Sequence, residues 1–130
     1  MDSYRFTAYS DLVLDHFENP RNVGETSRVD ARGRAENPAC GDELVLTLRL
    51  EDGRISEARF RASGCAASIA SSSMTTVLLE GRTLDQARGL TNLDVATALG
   101  GLPPAKMHCS VLAEEAVAAA LADHRIRAAR

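Results

Sequence analysis

Three cysteines, Cys40, Cys65 and Cys109, stand in the stretches NPACGD, SGCAAS and KMHCS. A thiolate can act as a nucleophile, a sulfur acceptor or a soft metal ligand. An odd count leaves one cysteine over from any disulfide set, and a free cysteine is often just a small buried hydrophobe. Placement argues otherwise here. Pro38, Gly41, Gly64, Pro103 and Pro104 fix or free the backbone beside the three sulfurs, and each cysteine falls at a junction between predicted elements. A helix start favours the charged thiolate, so a lowered thiol pKa is expected at such positions.

If these junctions share one pole of the fold, three sulfurs converge there, with His108 adjacent to one and Asp42 two residues after another. Three sulfurs plus a nitrogen or an oxygen make a four-coordinate shell suited to Zn²⁺ or to the irons of an iron–sulfur cluster. Spacing alone does not choose between Asp42 and His108, and no CxxC knuckle is present. A cysteine enzyme with Cys109 as nucleophile and His108 as base is the competing chemistry. Adjacent residues at a helix start are expected to point apart, and no oxyanion-hole motif accompanies them. His16 and His124 are assigned to packing or to the surface. Lys106 is the sole lysine, against fourteen arginines.

The elements that must position these groups follow from periodicity. YSDLVLDHFENP reads as a helix capped by Ser10 or Asp11, with Leu12, Val13 and Phe17 on its apolar face and Asn19-Pro20 as its stop. A first edge strand is expected near Asp30. Leu44, Leu46, Leu48 and Leu50 alternate with polar or smaller residues in one strand, and Ala58, Phe60 and Ala62 share a face of the next. Keeping both sets on one face predicts a three-residue loop with Gly53 left-handed, pairing Leu46 with Ala58 and Leu44 with Phe60. AASIASSSMTTVLLEG reads as a helix with Ile69, Met74, Val77 and Leu78 inward, stopping at Gly81. Its serines and threonines mean that packing, not propensity, must hold it. Thr83 with Gln86 forms a capping box, TNLDVATALGG suggests a further helix, and the best helix begins near Ala105. The expected fold is α+β: an N-terminal helix, a three-stranded antiparallel meander, then a helical half packed on one sheet face. Residues 1–8 are expected to be a flexible leader and 9–127 a single domain.

With 130 residues, 45% hydrophobic and 25% charged, the chain is long enough for a real core. A net charge of -3, with both signs scattered, argues against nucleic acid or an acidic membrane as partner. The basic tail Arg125, Arg127 and Arg130 suits a helix C-terminus. No apolar run approaches the ~18 residues of a membrane span, and a cytoplasmic location is expected.

NPACGD, GCAASIASSS and LPPAKMHCSVLAEEA together resemble the signatures of the IscU/NifU-type iron–sulfur cluster scaffolds, and DHFENPRNVG resembles that family's N-terminal segment. The resemblance runs from about Tyr9 to Ala122. It implies the IscU/SufE-like sandwich and a protein that takes sulfur from a cysteine desulfurase and iron from a donor. Such a protein builds a transient [2Fe–2S] cluster and passes it to apoproteins. By the same resemblance Cys40, Cys65 and Cys109 are cluster thiolates, Asp42 or His108 completes the shell, and Cys109 is the persulfide acceptor. Leu102, Pro103, Pro104, Ala105 and Lys106 match the segment gripped by an Hsp70/J-type chaperone pair. A zinc-binding sulfur acceptor of the SufU type is the alternative. The presence of His108, and the absence of a long insertion between Cys65 and Cys109, favour the IscU type.

Overall fold

The computed structural model describes residues 9–39 and 41–130; the expected leader and Cys40 lie outside the described residues. Three strands, β1 (Ala31–Asn37), β2 (Asp42–Glu51) and β3 (Arg54–Ser63), form an antiparallel meander in the order β1-β2-β3. Leu44, Leu46 and Leu48 face the same way as Ala58 and Phe60, and all five are buried. The parity argument therefore holds, but the predicted loop does not. Glu51 pairs with Arg54, leaving a two-residue turn in which Asp52 and Gly53 both have positive φ, 52° and 77°. That is the primed turn whose twist suits a hairpin. The face is restored by a bulge beside it, where Leu50 pairs with Ile55 but Arg49 pairs with Glu57. Ser56 is the extra residue. Leu46 consequently meets Phe60, and Leu44 meets Ala62.

Helices lie on the inner side of the sheet, two of them directly against it and the others packed on those two. They are α1 (Asp11–Glu18), α2 (Ala66–Leu79), α3 (Leu84–Arg88), α4 (Asn92–Ala98) and α5 (Met107–Ala128), the last preceded by a 3₁₀ turn at Pro104–Lys106. This is the expected α+β arrangement. The long helix lies against β1 and β2, with Leu112, Ala113, Ala116, Val117, Ala120 and Leu121 in the core. Such close packing depends on Gly33 in the middle of β1. A Cβ there would lie 2.1 Å from the Ala116 carbonyl oxygen and 2.4 Å from the Ala120 nitrogen.

The second helix is buried on nearly every side, including Ser71, Ser72, Ser73, Thr75 and Thr76. Its hydroxyls are satisfied largely within the helix: Ser72 donates to the Ser68 carbonyl, Thr75 to Ser71 and Thr76 to Ser73, at 2.7–2.8 Å. Val77, expected inward, is 42% exposed instead. Short hydroxyl residues let α1 and the sheet approach closely, so the buried side is the small one.

In α1, Leu12 is exposed while Leu14 and His16 take the inner positions beside Val13. Ser10 is the N-cap, accepting from Val13 N–H, and its own hydroxyl donates to the Leu99 carbonyl, tying α1 to the end of α4. His16 is a packing residue. Its Nδ1 lies 2.8 Å from Ser73 Oγ, which also accepts from Arg21 N–H, and burial lowers the imidazole pKa. Capping boxes open both α3 (Thr83, Gln86) and α4 (Thr91, Asp94). The free edge of β3 is covered by the segment after α1, through Gly24 N–H to Phe60 O at 2.8 Å and Phe60 N–H to Asn22 O at 3.0 Å.

The outer sheet face carries charge. Glu57 accepts from Ser27, Arg49 and Arg59, and these partners, Ser27 first, hold its carboxyl down at about 2 against the usual 4.5. A depressed folded pKa stabilises the protein above the unfolded value and loses that contribution as pH falls through the folded one. Acid unfolding monitored from pH 5 to pH 2 is therefore expected to be shallower in Glu57→Gln than in the parent protein.

Candidate metal centre

The β2 strand begins at Asp42, and its alternation decides where that carboxylate goes. Asp42 has the parity of Leu44 and Leu46, so it faces the helices and is only 4% exposed. Cys65 occupies the N-cap position of α2 with no side-chain capping bond of its own. Ser, Thr, Asp or Asn is preferred there. A thiol in that place gives up a cap and leaves its sulfur free. Cys109 lies in the first turn of α5, directly after His108. Three junctions, a strand start and two helix starts, thus open on one pole.

The geometry is compact. Cys109 Sγ lies 3.7 Å from Cys65 Sγ, 3.9 Å from Asp42 Oδ2 and 3.6 Å from His108 Nε2. His108 Nε2 and Asp42 Oδ2 are 3.8 Å apart. A tetrahedral ion with bonds of about 2.3 Å to sulfur and about 2.0–2.1 Å to nitrogen or oxygen spaces its ligand atoms roughly 3.3–3.8 Å apart. Each of these four edges lies within about half an ångström of the spacing for its own pair of atoms. Asp42, His108 and Cys109 lie mutually within 4.8 Å, and Cys65 joins them through Cys109. The fold accordingly brings both candidate fourth ligands to the site, and Cys109 is its hub.

Two expectations are corrected here. His108 and Cys109, adjacent in sequence, do bring their side chains together. Only in the first turn of a helix, where no preceding turn lies beneath them, can both lean toward the same end. The Cys109 thiol is not lowered by its helix start but pushed up to about 12, by burial first and then by the neighbouring Cys65. It is 1% exposed, so desolvation of a thiolate outweighs the helix dipole in the metal-free protein. Packed against three other candidate ligands, Cys65, Asp42 and His108, the Cys109 sulfur is well placed for a cation.

Lys106 also belongs to this pole. Its ammonium is held above the usual lysine range by Cys65 first, then Tyr9, with Cys109 and Asp42 adding to the effect. Tyr9 is a member of the pole that sequence patterning does not single out. Burial first, and the two cysteines after it, raise its phenol, while Lys106 opposes them. Its position one residue before the Ser10 cap, where an apolar residue can staple a helix start, is the signal that could have found it. Of the preceding segment, Pro104 and Ala105 are exposed, whereas Leu102 packs partly against the cluster of Val13, Ala70, Met74, Val95 and Leu99. His124 lies far along α5 beside Asp30 and Arg127. Solvent reaches the site past His108, whose side chain is 40% exposed and borders an open groove of about 360 Å³ with Pro38 and Val111.

A meander with helices on one face, gathering thiol, imidazole and carboxylate at one pole, defines a small α+β domain with a group of side chains at its edge that could hold a metal ion. The chain belongs to the family of NifU-like N terminal domains, whose model matches residues 8–130. It is 48% identical over 122 residues to an iron–sulfur cluster assembly scaffold protein IscU of Escherichia coli, covering 91% of this chain and 94% of that one. It is also 48% identical over 116 residues to a scaffold protein IscU of Archaeoglobus fulgidus, covering 89% and 76%. Among solved structures, a nitrogen-fixing NifU-like protein (N-terminal) from Brucella abortus matches with a TM-score of 0.73 at 20% identity, over 91% of this chain and 94% of that one. That last likeness bears on the fold.

Proposed function

We propose that this protein is an iron–sulfur cluster assembly scaffold, a carrier rather than an enzyme with turnover of its own. It accepts sulfur from a cysteine desulfurase, iron from a donor, and from an electron-donor protein the electrons that reduce the persulfide sulfur to sulfide; it holds a labile [2Fe–2S] cluster and delivers it to apoproteins. The observation that carries this reading is the convergence of Asp42, His108 and Cys109, with Cys65 touching Cys109, at one pole of a chain of this family. Cys40, two residues before Asp42 in the chain, supplies the third thiolate in this reading. Three thiolates suit iron in a cluster, and a hard carboxylate oxygen beside them holds it less firmly than a fourth thiolate does. A metal also resolves the electrostatics, because a cation offsets the cost of ionising a thiol as deeply buried as Cys109.

Partners follow from the same reading. The exposed Pro104 and Ala105, with Leu102, Pro103 and Lys106, form the segment taken by an Hsp70/J-type chaperone pair, and the setting is cytoplasmic. No helix among the described residues is long and apolar enough to cross a membrane.

Anaerobic reconstitution with ferrous iron, cysteine, a desulfurase and excess dithiothreitol as reductant tests the proposal by visible sulfide-to-iron absorption with stoichiometric acid-labile sulfide. Zn²⁺ fits the same four ligands, so colourless protein that retains only one equivalent of zinc after this treatment would favour the zinc-binding sulfur acceptor. The reading further expects that Asp42→Ala lengthens the lifetime of the bound cluster in air severalfold. An unchanged or shorter decay time removes the lability role from Asp42.

A further inference from the structure

The Asp42 carboxylate has to cross from β2 to reach α5, and the space it crosses is the missing side chain of Gly64. The β2–β3 register pairs Glu43 with Ser63 at its end, so one step further Asp42 and Gly64 come opposite each other on the helix-facing side. Directly opposed residues on one face bring their Cβ atoms within about 4.5–5.5 Å. A Cβ on Gly64 would lie 2.2 Å from Asp42 Oδ1 and 2.8 Å from its Cγ, well inside contact distance. The other carboxylate oxygen, Oδ2, is the one that faces Cys109 and His108. Oδ1 rests in the slot while Oδ2 reaches the ligands.

We infer that Gly64 is a positioning residue: its lack of a side chain sets the reach of Asp42 and so decides whether this carboxylate belongs to the metal centre. The chain conformation at Gly64, φ 150°, also disfavours an L side chain. Two effects therefore act at the same residue, and they separate experimentally. Backbone strain acts whatever residue stands at 42. The clash acts only while the carboxylate is there. The inference deepens the scaffold reading and rests on it for its consequence, but its test needs no cluster.

The test is a double-mutant cycle of Gly64→Ala, Asp42→Ala and the double variant, read by anaerobic Co²⁺ titration and by urea unfolding of the metal-free proteins. Gly64→Ala is expected to weaken Co²⁺ about tenfold or more, as loss of a partner that orients a ligand typically does. It should match Asp42→Ala, with no further loss in the double variant. In unfolding, Gly64→Ala should shift the urea midpoint less in the Asp42→Ala background than in the parent protein. Equal and additive losses of Co²⁺ affinity in the two backgrounds would overturn the inference, as would a Gly64→Ala protein with parental affinity. If Gly64→Ala alone fails to fold, the inference requires a folded double variant, and a double variant equally unfolded overturns it. Cluster assembly by the parent protein, assayed separately, reports on the scaffold reading and leaves the outcome of the cycle for Gly64 unchanged.

Discussion

Cys109→Ala is expected to abolish cluster formation, leaving reconstituted protein colourless while the fold persists. The reason is geometric. Among the described residues, the Cys109 sulfur is the atom that touches each of the other three candidate ligands, at 3.6–3.9 Å. Removing Cys65 or His108 costs one corner of the shell; removing Cys109 removes the corner the others share. Deleting one buried sulfur should cost the metal-free fold only about 1 kcal/mol, the low end of large-to-small core substitutions. Unfolding curves therefore separate loss of the site from loss of the fold. The same protein, treated with a desulfurase and cysteine and examined by mass spectrometry, should also lose the added sulfur seen on the parent chain. A Cys109→Ala protein that still turns brown, or sulfur carried on Cys65 alone in the parent, would move the centre of the site away from Cys109.

The second large effect is on stability. Gly33→Ala is expected to destabilise the protein by about 3 kcal/mol or more, the upper range for an overpacked core. The new methyl group would meet the backbone of α5 at Ala116 and Ala120, not a side chain that could swing aside. Either α5 lifts from β1 or the strand bends, and both uncover the core. Because α5 carries His108 and Cys109 at its start, metal affinity should fall together with stability. Gly89→Ala is the control. A Cβ there meets only Gln86 O, at 3.5 Å, with φ at -84°, so the urea midpoint should scarcely move. Equal shifts in the two variants would mean that close helix–strand packing does not hold α5 in place.

Much of the fold is legible along the chain because it is written in short-range pattern. Alternating leucines, Ser10 as a cap, the Thr83–Gln86 box and Gly81 each act within a few residues, and each appears where its pattern predicts. The expectations that fail share a cause. The three-residue hairpin loop follows from facing requirements alone, yet the chain meets those requirements with a tight Asp52-Gly53 turn and a bulge at Ser56. Two backbone solutions satisfy one side-chain constraint, and local twist selects between them. In α1 and α2, periodicity assigns hydrophobic residues inward, whereas the interior takes His16, Ser73 and Thr76 and leaves Leu12 and Val77 outside. A mutual hydrogen-bond network makes that possible, and its partners in α1 and α2 lie some fifty residues apart in the chain.

By itself the sequence determined the candidate ligand types and the order of elements, since these depend on residue chemistry and local backbone preference. Only the tertiary structure decided that Asp42 and His108 both reach Cys109, that Tyr9 and Lys106 share their pole, and that burial raises the Cys109 thiol when a helix start alone would lower it. Each of these depends on distances between segments remote in the chain, and on how much water is left between them. The packing of α5 across Gly33 and of Asp42 over Gly64 sets those distances.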